Sequence, residues 1–176
     1  MIKYMNLIGI KARKASEYKV TTEVKNKVLN DYAKLIKNEK KFIINQNSKD
    51  INYARKKGLK ENLIKRLHLN ENKLDGIINS ILKIAKLRDP IDNTLEKWKR
   101  PNGLNIKRVS IPIGVIGVIY ESRPNVTSDV ASLCFKSGNV VILKGGSEAI
   151  NSNKALAKLF RNCLLYTSPS PRDLGK

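Results

Sequence analysis

The stretch Val115-Ile116-Gly117-Val118-Ile119-Tyr120 decides the fold. It is nearly continuously apolar and mostly β-branched, the composition of a strand buried on both faces of a parallel sheet. A polar loop follows, Glu121-Ser122-Arg123-Pro124-Asn125, and residues 125–136 read as a helix ended by Gly138. Residues 140–143, Val-Val-Ile-Leu, repeat the strand pattern. Gly145-Gly146-Ser147 then turns, and Asn151 or Ser152 starts a helix reaching at least Phe160. Strand, helix, strand, helix with short loops is the beginning of an open α/β sheet.

Toward the N-terminus, residues 94–110 read as a β-hairpin. Pro101-Asn102-Gly103 turns between two β-like runs, and residues 106–110 alternate apolar and basic. Residues 1–90 read as helices. Thr21 or Thr22 caps one to about Asn38, with Val24, Val28, Tyr32, Leu35 and Ile36 at three- and four-residue spacing. Residues 42–44 open another piece, and Ser48 caps a further one that Gly58 ends. Leu63, Ile64 and Leu67 mark a short helix. Asn70 or Asn72 caps the next, whose stripe Leu74, Ile77, Ile78, Ile81, Ile84, Ala85 and Leu87 closes at Pro90. The fold class is therefore α/β: a helical layer over 1–90, the hairpin 94–110, and strand–helix–strand–helix over 113–162. Residues 163–176 hold Pro169 and Pro171 but no further strand. They read as a non-native tail, with a genuine disordered tail as the alternative.

Composition narrows the function. Lys and Arg number 35 against 15 acidic residues, a net charge of +20. The basic residues are spread as KARK, KNEKK, ARKKG, KWKR and NIKR rather than gathered on one helix face, and aromatics are only 6%. A basic nucleic-acid-binding module is the alternative function, without the stacking platforms that single strands require. Cys134 and Cys163 form no CxxC pair, and His68 is the only histidine, so no metal site is expected. Cys134 reads as a buried core thiol and His68 as structural. No run of eighteen apolar residues exists, and the first sixteen residues lack a signal-peptide core.

Both loops that leave the buried strands carry polar groups to the carboxyl edge of the sheet, where open α/β sheets bind ligands. Lys144 offers a point charge to phosphate, Ser147 a hydroxyl, and Gly145 and Gly146 close backbone approach. An ordinary solvated loop reads the same way. Asn125 is an amide donor or only a helix N-cap. The spacing of Gly114 and Gly117 is not a dinucleotide fingerprint.

Taken together, SIPIGVIGVIYESRPNVTSDVASLCFKSGNVVILKGGSEAINSN (110–153), ARKKGLKENLIKRL (54–67) and PNGLNIKRV (101–109) resemble the γ-glutamyl phosphate reductase family of the aldehyde dehydrogenase superfamily. The resemblance runs from about Gly9 to Phe160. It implies that residues 1–162 are the N-terminal part of a Rossmann-like, NADP-binding domain, with the catalytic domain and its nucleophilic cysteine absent. It implies a reaction: L-glutamyl 5-phosphate and NADPH give glutamate 5-semialdehyde, phosphate and NADP⁺. A cysteine thiolate attacks the acyl phosphate, and hydride reduces the resulting thioester. Asn125 is then the oxyanion donor. Lys144, Gly145, Gly146, Ser147, Glu148 and Pro124 meet the cofactor, and Arg123 meets a substrate phosphate or carboxylate. Ser147 stands where NAD-preferring relatives often carry an acid. The resemblance further implies a cytoplasmic homo-oligomer with no membrane or specific nucleic-acid partner. This segment alone is expected to be poorly stable and inactive.

Overall fold

The structure is a computed structural model and describes residues 2–167. Five helices open the chain: α1 (Ile2–Ser16), α2 (Thr22–Asn38), α3 (Lys40–Lys56), α4 (Glu61–Leu67) and α5 (Glu71–Lys86). Caps set two of their starts. Thr21 Oγ1 accepts from Val24 N, and Asn70 Oδ1 accepts from Lys73 N at 2.9 Å. The two helical pieces expected over residues 42–58 are one helix, α3. Ser48 does not cap; its hydroxyl donates to the Ile44 carbonyl one turn back, at 3.0 Å.

The strands follow as expected. β1 (Thr94–Lys99) and β2 (Asn105–Val109) form an antiparallel hairpin with Trp98 opposite Ile106. Its turn is closed by Gly103 N donating to the Arg100 carbonyl. β3 (Val115–Ile119) and β4 (Val140–Lys144) pair in parallel, with Val115 opposite Val140 and Ile119 opposite Lys144. α6 (Pro124–Lys136) is the crossover helix between them, and α7 (Ile150–Thr167) follows a 3₁₀ turn, Ser147–Ala149. α7 continues through residues 163–167, the start of the stretch set apart in the sequence. The rest of that stretch lies outside the described residues.

The main core lies among α2, α5 and α7, with Phe135 of α6 packed against it. Leu29, Ile36, Leu74, Ile81 and Leu156 are fully enclosed. Each such side chain contributes about 1.5–3 kcal/mol by leaving water. Tyr32 fills the centre, sharing a hydrogen bond with Ser128 Oγ (2.8 Å) and meeting the Phe160 ring edge-on at 5.0 Å. Burial pushes its phenol well above the usual range. Cys163 belongs to this core, and Cys134 is also buried. The expectation that both strands are sealed on two faces is not met by the described residues. Ile113 and Ile119, flanking or ending β3, are 81% and 85% exposed, and both faces of the hairpin are open. The strands were readable from β-branching, but the cover over a strand depends on other elements.

A buried polar clamp joins the layers. The Asp50 carboxylate on α3 accepts four hydrogen bonds from the first turn of α7: Asn151 N (3.1 Å), Asn151 Nδ2 (2.7 Å), Ser152 N (2.8 Å) and Ser152 Oγ (2.7 Å). One turn earlier, Asn47 donates to the Leu67 carbonyl at 2.9 Å and accepts from Leu69 N at 2.8 Å. α3 thereby fixes both the end of α4 and the start of α7.

Candidate functional site

The two sheet-edge loops meet. After β3, residues 120–123 lead into α6; after β4, residues 145–148 lead into α7. Tyr120 N donates to the Lys144 carbonyl at 3.1 Å, extending the parallel register into the loops. Ser122 Oγ donates to Glu148 Oε2 at 2.7 Å, and Ser147 Oγ donates to Glu148 Oε1 at 3.0 Å. The Ser122 bond, foremost, holds the Glu148 carboxyl below its ordinary value. Deeper, Tyr120 Oη and Thr127 Oγ1 lie 2.6 Å apart, and Thr127 donates to Asn153 Oδ1 at 3.0 Å.

This interlock places a second demand on the two glycines. A Cβ on Gly145 would collide with Asn153 Nδ2 and lie 2.9 Å from the Tyr120 ring carbon Cζ. A Cβ on Gly146 would collide with Ser122 Oγ and lie 2.8 Å from Glu148 Oε2. Gly145 and Gly146 thus make room for the side chains of Tyr120, Ser122, Glu148 and Asn153, a demand internal to the protein.

The other expected residues fall along this edge. Lys144 ends β4 with an exposed side chain, and Ser147 is exposed beside it. Arg123 is the N-cap residue of α6 without a side-chain cap bond, and Pro124 follows at its first position, where the fixed ring geometry suits a helix start. Pro124 is fully enclosed, so only its neighbours present side chains to a ligand. Asn125 is not the cap: it sits inside the helix, exposed, and its amide donates to Asp129 Oδ2 at 3.2 Å. The other Asp129 oxygen is buried without a partner.

Neither cysteine is placed for chemistry. Burial raises the Cys134 thiol and pushes that of Cys163 up to about 11. His68 ends α4, and its carbonyl accepts from Lys73 Nζ at 2.7 Å. Among the described residues no His, Cys, Asp or Glu cluster could hold a metal, and no helix is long and apolar enough to cross a membrane.

A third wall was not foreseen. Leu59 and the α4 residues Leu63, Arg66 and Leu67 face the loops across a cavity of ≈ 330 Å³, which Arg123 and Glu148 also line. Arg66 Nη1 lies 3.8 Å from Glu121 Oε2. In sequence, Lys65 and Arg66 are ordinary basic residues at a helix C-terminus. Only the tertiary packing of α4 brings Arg66 to residues 121–148.

A helical layer behind a parallel strand–helix–strand–helix unit, with both polar loops on one edge, is an arrangement of the aldehyde-dehydrogenase-type fold. A propionaldehyde dehydrogenase from Clostridium phytofermentans shares the fold, with a TM-score of 0.62 at 15% identity over 94% of this chain and 35% of that one. Within that class the chain is a homologue of the γ-glutamyl phosphate reductases. It is 48% identical over 160 residues to that of Halothermothrix orenii, covering 88% of this chain and 38% of the relative. It is 46% identical over 162 residues to that of Clostridium tetani, covering 91% and 38%. The crystal structure of γ-glutamyl phosphate reductase from Thermotoga maritima superposes with a TM-score of 0.87 at 42% identity, over 90% of this chain and 39% of that one. The chain thus spans under two-fifths of the length of these relatives. No protein-family model matches it.

Proposed function

We propose that this chain is part of an enzyme that reduces L-glutamyl 5-phosphate to glutamate 5-semialdehyde and phosphate with NADPH, and that it supplies the cofactor-side loop and the oxyanion donor. The homology to γ-glutamyl phosphate reductases supports the reaction. The observation that carries the site is the Ser122–Glu148 bond, which joins the loop leading into Asn125 to the loop that follows Lys144 on one sheet edge.

The residues present fit a 2′-phosphorylated cofactor. Lys144 offers an exposed ammonium, and Ser147 is exposed and uncharged, its hydroxyl proton given to Glu148. The nearby carboxylate, Glu148, has each oxygen engaged by a serine hydroxyl. A carboxylate at position 147 would repel the phosphate. When bound, the cofactor supplies hydride. Asn125 has two amide protons; Asp129 takes one, which leaves the other for an oxygen that gains charge. With both cysteines buried and their thiols raised, neither serves as the attacking thiolate. The homology does not extend to nucleic-acid binding, and the scattered basic residues add no site for it.

The test is Asn125→Ala in the full-length reductase. Loss of one oxyanion donor is expected to lower kcat about 10²–10³-fold, with the KM for NADPH unchanged. An unchanged kcat would remove Asn125 from the chemistry.

A further inference from the structure

We infer that the cavity between α4 and the two sheet-edge loops is a phosphate subsite whose main charged ligand is Arg66. The inference deepens the function proposed above and rests on it for the two groups that could occupy the subsite: the 2′-phosphate of the cofactor and the acyl phosphate of the substrate.

Three features carry it. The first is shape. Leu59, Leu63 and Leu67 give the cavity an apolar wall, while Arg66, Arg123 and Ser122 supply polar groups. That is the make-up of small-molecule sites, and ≈ 330 Å³ is at their lower limit, enough for a phosphate-bearing group and too little for a dinucleotide. The cavity opens at the carboxyl edge of the parallel strands, where ligands of open α/β sheets sit.

The second is the state of Arg66. Its ion-pair partner Glu121 lies 3.8 Å away, and the two side chains are 51% and 76% exposed. That distance is beyond a hydrogen bond, and so loose a pair contributes little. The guanidinium fork is thus left to grip a planar or tetrahedral oxyanion with two parallel N–H bonds. Glu121 is exposed enough to move aside for it.

The third is the state of the acids. Glu148, the other carboxylate on the cavity, already accepts from Ser122 and Ser147. Both hydroxyls donate their protons to it, so its charge is partly met within the loop. Arg66 and Arg123 then dominate what an entering anion meets. The Asn47 bonds to Leu67 and Leu69 hold the end of α4 that carries Arg66, and the Asp50 clamp holds the loop across from it. Both walls are therefore tied to α3.

The test is calorimetric binding of 2′,5′-ADP, 5′-AMP and inorganic phosphate to the full-length protein and its Arg66→Ala and Arg66→Lys variants. Arg66 is half exposed, and matching thermal melts establish that each variant folds. If the cofactor fills the subsite, Arg66→Ala binds 2′,5′-ADP about tenfold more weakly, 5′-AMP is unaffected, and Arg66→Lys falls between. If the substrate phosphate fills it, inorganic phosphate weakens by a similar factor and 2′,5′-ADP does not. Unchanged binding of both in a folded Arg66→Ala protein overturns the subsite. A full-length protein that binds phosphate through Arg66 yet never reduces L-glutamyl 5-phosphate would keep the subsite and discard the reaction.

Discussion

The helical layer and the parallel sheet sit side by side in one chain but are finished to different degrees. In the α2–α5–α7 core, Leu29, Ile36, Leu74 and Ile81 are fully enclosed, and even the Tyr32 hydroxyl is satisfied. In the β3–β4 pair every residue keeps some exposure, and Ile119 is open. The layer gains its stability from local apolar packing. The sheet gains its order from hydrogen bonds and from α6 and α1, which pack against it. The candidate site lies on the border, so its geometry is borrowed from the rigid neighbour through the Asp50 clamp.

The strongest way to break this contrast is a pair of truncations. Ile81→Ala in the core should cost about 2–5 kcal/mol in urea unfolding, while Ile119→Ala on the open strand should stay within about 0.5 kcal/mol. Equal losses would mean that the two regions are equally sealed in solution. Next in size is the clamp. Asp50→Ala strips the acceptor from four donors and should destabilise by about 3 kcal/mol, with hydrogen exchange rising first at Asn151 and Ser152. Uniform exchange along α7 would show that the clamp is dispensable.

A gentler comparison uses two glycines. Gly145→Ala forces the interlocked loops apart and should cost about 1–3 kcal/mol. Gly117, in β3, has nothing within 4 Å of a built Cβ. Gly117→Ala should therefore leave the unfolding midpoint unchanged or slightly raised. The smallest effect is electrostatic. Burial lifts the Cys163 thiol from 9.0 to about 11, so the folded state holds that proton more tightly than the unfolded chain does. Its contribution is whole below pH 9 and is lost as pH climbs toward 11. Stability measured across that window should fall less steeply in Cys163→Ala than in the parent.

Much of the fold was legible because it is local. β-Branched runs marked β3 and β4, capping residues marked α2 and α5, and Pro101-Asn102-Gly103 marked the hairpin turn. The break expected at Ser48 was wrong because a serine hydroxyl can bond backward to Ile44 as readily as cap forward. The site was half legible. Loops that end adjacent parallel strands must share an edge, which put Asn125 and Lys144 on the same edge of the sheet. The partner of each glycine, the inward side of Asp129 and the arrival of Arg66 from α4 depend on packing between segments far apart in sequence.

The Asp50 clamp also orders events in time. It joins residues 101 and 102 positions apart, whereas α2 and α5 meet across a much shorter loop. Closing a long loop costs more chain entropy than closing a short one. During synthesis α2, α3 and α5 have left the ribosome before Asn151 is made. The nascent helical layer therefore carries an uncovered Asp50, and the loop over residues 145–148 is drawn into place only when the first turn of α7 arrives with the donors that satisfy the carboxylate.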